Sequence, residues 1–77
     1  MNQSFYKYVL TYRGGSKSDL KATFAEVMFY DLNFPKHSTD FEEISRYVEE
    51  LAHPDMAATI FDELWLLYET NVGFQSY

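Results

Sequence analysis

Thr39-Asp-Phe-Glu-Glu-Ile-Ser-Arg-Tyr-Val-Glu-Glu-Leu51 is the stretch that decides the fold. Phe41, Ile44, Val48 and Leu51 recur at the spacing of a single helical face, with Tyr47 beside them. Glu42, Glu43, Arg46, Glu49 and Glu50 fill the opposite arc, where Arg46 has acids three or four residues away on either side. Thr39 and Glu42 have the spacing of a capping box, in which each side chain satisfies a free backbone N–H at the helix start. These features predict an amphipathic helix over residues 40–51 with one apolar side to bury.

An apolar stripe needs partners, and the flanking sequence predicts three more helices. Residues 5–12 carry Phe5, Tyr8, Val9 and Tyr12 on one face and Tyr6 and Leu10 on a second, with Ser4 as N-cap and Gly14-Gly15 as the stop. Only Lys7 and Thr11 mark a polar strip, so this helix should be largely buried. Residues 19–30 follow Ser18 as cap, with Leu20, Phe24, Val27 and Met28 as the main stripe and Ala22, Ala25 and Phe29 to one side. Pro54 marks the start of the last helix, whose stripe is Ala57, Ile60, Phe61, Leu64 and Tyr68, flanked by Trp65 and Leu67. Pro35 forces Phe34 out of the helical region, and Phe34 then reads as a plug for the core edge. The expected architecture is all-α: a compact four-helix domain over residues 1–70 and a mobile tail over 71–77. Phe5, Phe24, Phe41, Phe61 and Trp65 are the expected core aromatics.

Seventy-seven residues leave room for one domain, with roughly 4,900 Å² exposed when folded. Aromatic residues make up 19% of the chain and cysteine is absent, so stability must come from ring burial rather than disulfides. No basic start followed by a long apolar run occurs, no apolar stretch is long enough to span a bilayer, and Gly does not follow Met1. A cytoplasmic protein without membrane contact is expected. The net charge of −6 is unevenly spread. Residues 1–37 hold five bases against three acids, whereas 38–77 hold Arg46 against nine acids.

Catalytic and cofactor patterns fail one after another. Arg13-Gly-Gly-Ser-Lys-Ser18 lacks the spacing of a phosphate loop and follows no strand. His37 and His53 do not share a helix face, and no His-Glu-x-x-His run exists. No serine sits in a Gly-x-Ser-x-Gly elbow. Asp62 and Glu63 point about 100° apart on their helix and do not form a carboxylate pair. No catalytic residue, metal site or cofactor is expected.

Three stretches carry a family resemblance: Ser4-Phe-Tyr-Lys-Tyr8, Phe34-Pro-Lys-His-Ser-Thr-Asp-Phe-Glu-Glu-Ile-Ser-Arg-Tyr-Val-Glu49, and Phe61-Asp-Glu-Leu-Trp-Leu-Leu-Tyr-Glu69. They resemble the YozE-like family of small uncharacterised Firmicutes proteins, whose fold is similar to the sterile alpha motif (SAM). The resemblance implies a SAM-like orthogonal bundle of four helices, a shape whose other bearers bind proteins or, in some cases, nucleic acid. The sequence departs from the family's pattern at Leu66 and Leu67, where polar residues are more usual.

The functional expectation is a non-catalytic protein-interaction module with an unidentified protein partner. Leu66 points away from the last helix's stripe and lies among Asp62, Glu63 and Glu69, an apolar spot ringed by acids. A neighbouring copy's basic half could meet it, giving weak self-association. The alternative is nucleic-acid binding through Lys7, Arg13, Lys17, Lys21 and Lys36, against which stands the acidic total. A small-molecule pocket ranks last, because the core should use up the volume of so short a chain.

Overall fold

In the computed structural model, which describes residues 3–16 and 18–73, four α-helices follow one another. They are α1 (Phe5–Leu10), α2 (Leu20–Tyr30), α3 (Phe41–Leu51) and α4 (Ala58–Tyr68). A π-helical turn, Glu69–Gly73, continues α4, and no strand occurs among the described residues. The all-α bundle expected from the stripes is present. Its accessible surface is 5107 Å², close to the value that chain length alone suggests.

The helix starts are set by short polar side chains. Ser4 Oγ accepts the Lys7 N–H at 3.2 Å, as expected. The next two caps each differ by one residue from the sequence-based expectation. Asp19, not Ser18, caps α2, its Oδ1 accepting from the Lys21 and Ala22 N–H groups at 3.0 and 3.2 Å. Asp40, not Thr39, caps α3 by accepting the Glu42 N–H at 3.0 Å. The Asp40 N–H itself donates to Ser38 Oγ, so the reciprocal half of a capping box is already filled. An ionised carboxylate also answers the positive helix end better than a neighbouring hydroxyl does.

α4 is the hub: it packs against α1, α2 and α3, while α1 also packs on α2. Phe5, Val9, Phe24, Ala25, Met28, Ile44 and Leu64 are wholly shielded from solvent. Phe34 plugs the core edge, its ring 5.8 Å from Tyr6 and 5.4 Å from Tyr47. Three large stripe residues fall short of the core. Leu20 is 60% exposed beside the start of α4, and Leu51 lies half out at the end of α3. Phe41 is 41% exposed, resting one face on Phe61 and Trp65 at the rim. All three stand at helix ends, where the correct side no longer has a neighbour to face.

α4 starts later than Pro54 suggests. Residues 54–56 form a turn that buries Met56, and Ala57 is an exposed N-cap with no side-chain bond to the helix. Beyond Thr70 the π turn continues to Gly73 and buries Val72. The rest of the expected mobile tail, residues 74–77, lies outside the described residues.

Two stability outcomes follow from this packing. Phe61→Ala should cost about 3–5 kcal/mol in denaturant melts, and Phe41→Ala clearly less, since much of that ring already meets water. Equal losses would contradict the rim position of Phe41. Ala57→Ser, which gives α4 the cap it lacks, should raise stability by about 1 kcal/mol. An unmoved melting midpoint would mean that solvent already satisfies those N–H groups.

Candidate functional site

The surface residues singled out in the sequence are only partly brought together. Leu66 is 64% exposed on α4, with Asp62 and Glu63 exposed one turn before it and Glu69 half-buried one turn after. Glu63, however, already pairs with Lys21, Oε1 to Nζ at 3.1 Å. The acid ring around Leu66 is therefore partly neutralised by the chain's own α2.

Three of the basic residues are engaged within the chain. Arg13 makes a two-pronged pair with Glu26, both contacts at 3.2 Å, and its guanidinium lies 3.7 Å over the Phe29 ring. Lys36 Nζ donates to the Leu32 carbonyl at 3.0 Å, near the Tyr6 ring. Lys21 is held by Glu63, and Lys7 is exposed on α1. Lys17 lies outside the described residues. Among the described residues the salt bridges are Arg13–Glu26 and Lys21–Glu63, so Arg46 takes no acid of α3 as a partner.

A concavity lies elsewhere. A groove of about 410 Å³ opens where α2 and α3 end, lined by Glu26, Val27, Tyr30, Asp31, Leu51 and His53. It exists because α4 carries the packing and α2 and α3 make no comparable contact with each other. Tyr30 is 72% exposed on its edge. Asp31 closes α2, its Oδ1 accepting the Asn33 N–H at 3.0 Å and its Oδ2 accepting the Tyr47 hydroxyl of α3. His53 Nδ1 accepts the Asp55 N–H at 3.0 Å. A concavity of this volume was not expected of so short a chain, and it lies at the surface. The sequence did carry a signal: Tyr30 and Asp31 sit together at a helix end, outside any stripe.

A second polar cluster ties the chain ends. Tyr8 and Tyr12 hydroxyls lie 3.0 Å apart, and Asn71 Nδ2 donates to Tyr8 at 2.9 Å. Burial and the Tyr8 contact push the Tyr12 phenol up to about 12, and burial with the Asp31 carboxylate does the same for Tyr47. Among the described residues no three His, Asp or Glu side chains gather as a metal site.

The sequence matches the YozE SAM-like fold over residues 4–70, the span from the α1 cap to the first residues of the π turn. The chain belongs to this family. A UPF0346 protein of Limosilactobacillus reuteri is 47% identical over 68 residues, covering 88% of this chain and 93% of its own length. A Staphylococcus epidermidis UPF0346 protein is 42% identical over 64 residues, 83% of this chain and 84% of that one. A Streptococcus pyogenes UPF0346 protein is 42% identical over 65 residues, 84% and 92% respectively. The names of these relatives state no activity and no partner. No solved structure matches the sequence. The four-helix SAM-like fold expected from the resemblance is thereby established. No described helix is long and apolar enough to cross a membrane.

The tyrosines give an alkaline signature. A phenol whose folded pKa stands above its ordinary 10.0 keeps its proton in the folded chain after the unfolded chain has lost it. The stability it contributes is whole below pH 10.0 and drains away as pH rises to about 12. Tyr47→Phe has no proton to lose and should flatten part of that decline in melts recorded across this range. An unaltered profile would show that Tyr47 ionises alike in both states.

Proposed function

We propose that this chain is a one-domain, non-catalytic protein-interaction module of the cytoplasm, with the α2–α3 groove as its main contact face. The observation that carries this reading is the groove itself: apolar Val27, Tyr30 and Leu51 framed by Glu26, Asp31 and His53. Solvent-exposed apolar surface around a concavity is stable only in small amounts, and covering it releases water. Leu32, 85% exposed just beyond α2, adds to the apolar surface at this end of the molecule. The Leu66 surface, with Asp62, Glu63 and Glu69, is a second and smaller contact, the one through which copies would associate. Nucleic-acid binding is the weaker alternative, since Arg13, Lys21 and Lys36 are engaged within the chain and phosphate affinity needs free cations.

A photo-crosslinking residue at position 30, and separately at 66, tests this in native extracts. Discrete protein adducts at position 30 that survive nuclease treatment are the expected result. Adducts to nucleic acid alone would favour the alternative, and none at either position would overturn the module reading. In parallel, Leu66→Glu should leave the fold intact and remove any rise of mass with concentration. A wild-type chain that stays monomeric at about millimolar concentration would rule out self-association through Leu66.

A further inference from the structure

We infer that the α2–α3 groove receives an apolar side chain presented by a basic amphipathic helix of a partner protein; this rests on the interaction-module reading above. The apolar half of the inference comes from the lining. Val27, Tyr30 and Leu51 leave about 410 Å³, at the small end of the range of binding clefts, so the groove suits an anchoring side chain rather than a whole packed element.

The charge of the partner follows from what this end of the molecule lacks. α2 and α3 both terminate at the groove, and a helix C-terminus carries roughly half a negative charge. Neither helix has a basic residue in its last turn. α3 instead places Glu49 and Glu50 there, and α2 is closed by Asp31. Asp31 is held by an N–H and a hydroxyl and pairs with no cation among the described residues, whereas Glu26 is already matched by Arg13. His53, also in the lining, has its Nδ1 committed as an acceptor of the Asp55 N–H. A Lys or Arg one turn from the inserted side chain would supply the missing positive charge.

The other occupants fit less well. A second copy brings a net charge of −6; Arg13 and Lys21 are paired internally, Lys36 is bound to a carbonyl, and the exposed Lys7 and Arg46 stand on separate helices, Arg46 among the glutamates of α3. An added strand has no sheet edge to extend among the described residues, whereas an amphipathic helix can lay one apolar side chain into a groove of this size and set basic residues one turn away.

The test is a titration of the nitrogen-15-labelled full chain with three synthetic peptides of about sixteen residues. One carries leucines at i, i+3, i+4 and i+7 with lysines elsewhere, the second the same residues scrambled, the third glutamates in place of lysines. The ordered Leu/Lys peptide should shift amide resonances around Val27, Tyr30, Leu51 and His53, with an affinity that falls as salt rises. Tyr30→Ala and Leu51→Ser should each weaken it roughly ten-fold without loss of folding, both side chains being exposed. Equal binding of the scrambled peptide, or shifts spread over the outer face of α3, would reduce the effect to bulk charge and overturn the inference. Preference for the Leu/Glu peptide would refute the basic partner while sparing the module reading. Groove resonances that move with protein concentration alone would assign the groove to a second copy. No shift with any peptide would also overturn the inference, and the crosslinking at position 30 then judges the wider reading separately.

Discussion

Everything in this bundle depends on the burial of the Phe5 ring. α1 has six residues, far too few to hold a helix in water, so its existence must be imposed from outside. Phe5 is fully shielded, its centroid 5.4 Å from Phe61, 5.3 Å from Trp65 and 5.7 Å from Tyr68. Edge-on and tilted rings at such distances gain electrostatic as well as apolar contact. Hydrogen bonds then lock the two chain ends: the Tyr68 hydroxyl donates to the Gln3 carbonyl at 2.6 Å, and Asn71 to Tyr8 at 2.9 Å. With α1 pinned, the Phe5 N–H lies 3.4 Å from the Ser38 carbonyl, tying the start of the bundle to the connector before α3.

The periodic parts of the fold were readable because a stripe reports which side of a helix faces inward. It does not report where the neighbour stops. Leu20, Phe41 and Leu51 lie on the correct sides of their helices and are still partly wet, each being a terminal residue. The displaced caps have a comparable cause. Ser18-Asp19 and Thr39-Asp40 each offer two capping residues in a row, and the decision depends on which backbone N–H groups the following turn presents. Met56 was missed because it belongs to a turn and has no period to betray it. Leu66 was legible for the opposite reason: a single helix sufficed to place it. The groove draws on α2, α3 and the residue after a left-handed Ala52, so no single window of sequence contains it.

The charge asymmetry along the sequence is largely folded away. Lys21 of the basic half meets Glu63 of the acidic half, and Arg13 is spent on Glu26 and Phe29 within its own half. Exposed pairs of this kind add little stability, on the order of 0–1 kcal/mol each. Their larger effect is to remove free cations from the surface. What is left is the outer face of α3, where Arg46 stands against four glutamates, and the ends of α2 and α3, whose field reaches about 8–10 Å at physiological salt.

An aspartate is an unfavourable residue with which to end a helix, since its charge adds to that of the unpaired carbonyls. Asp31 holds that position because both of its oxygens are occupied, one by the Asn33 N–H and one by the Tyr47 hydroxyl. The second bond does more than satisfy a carboxylate. It joins the end of α2 to the middle of α3 across a boundary where the two helices otherwise pack little, and Phe34 wedges beneath it against the Tyr47 ring. The Asp31–Tyr47 link therefore tethers α2 to α3 beside the groove and limits how far the two helices can spread there. The same few residues that complete the fold on this side stand next to its apolar concavity.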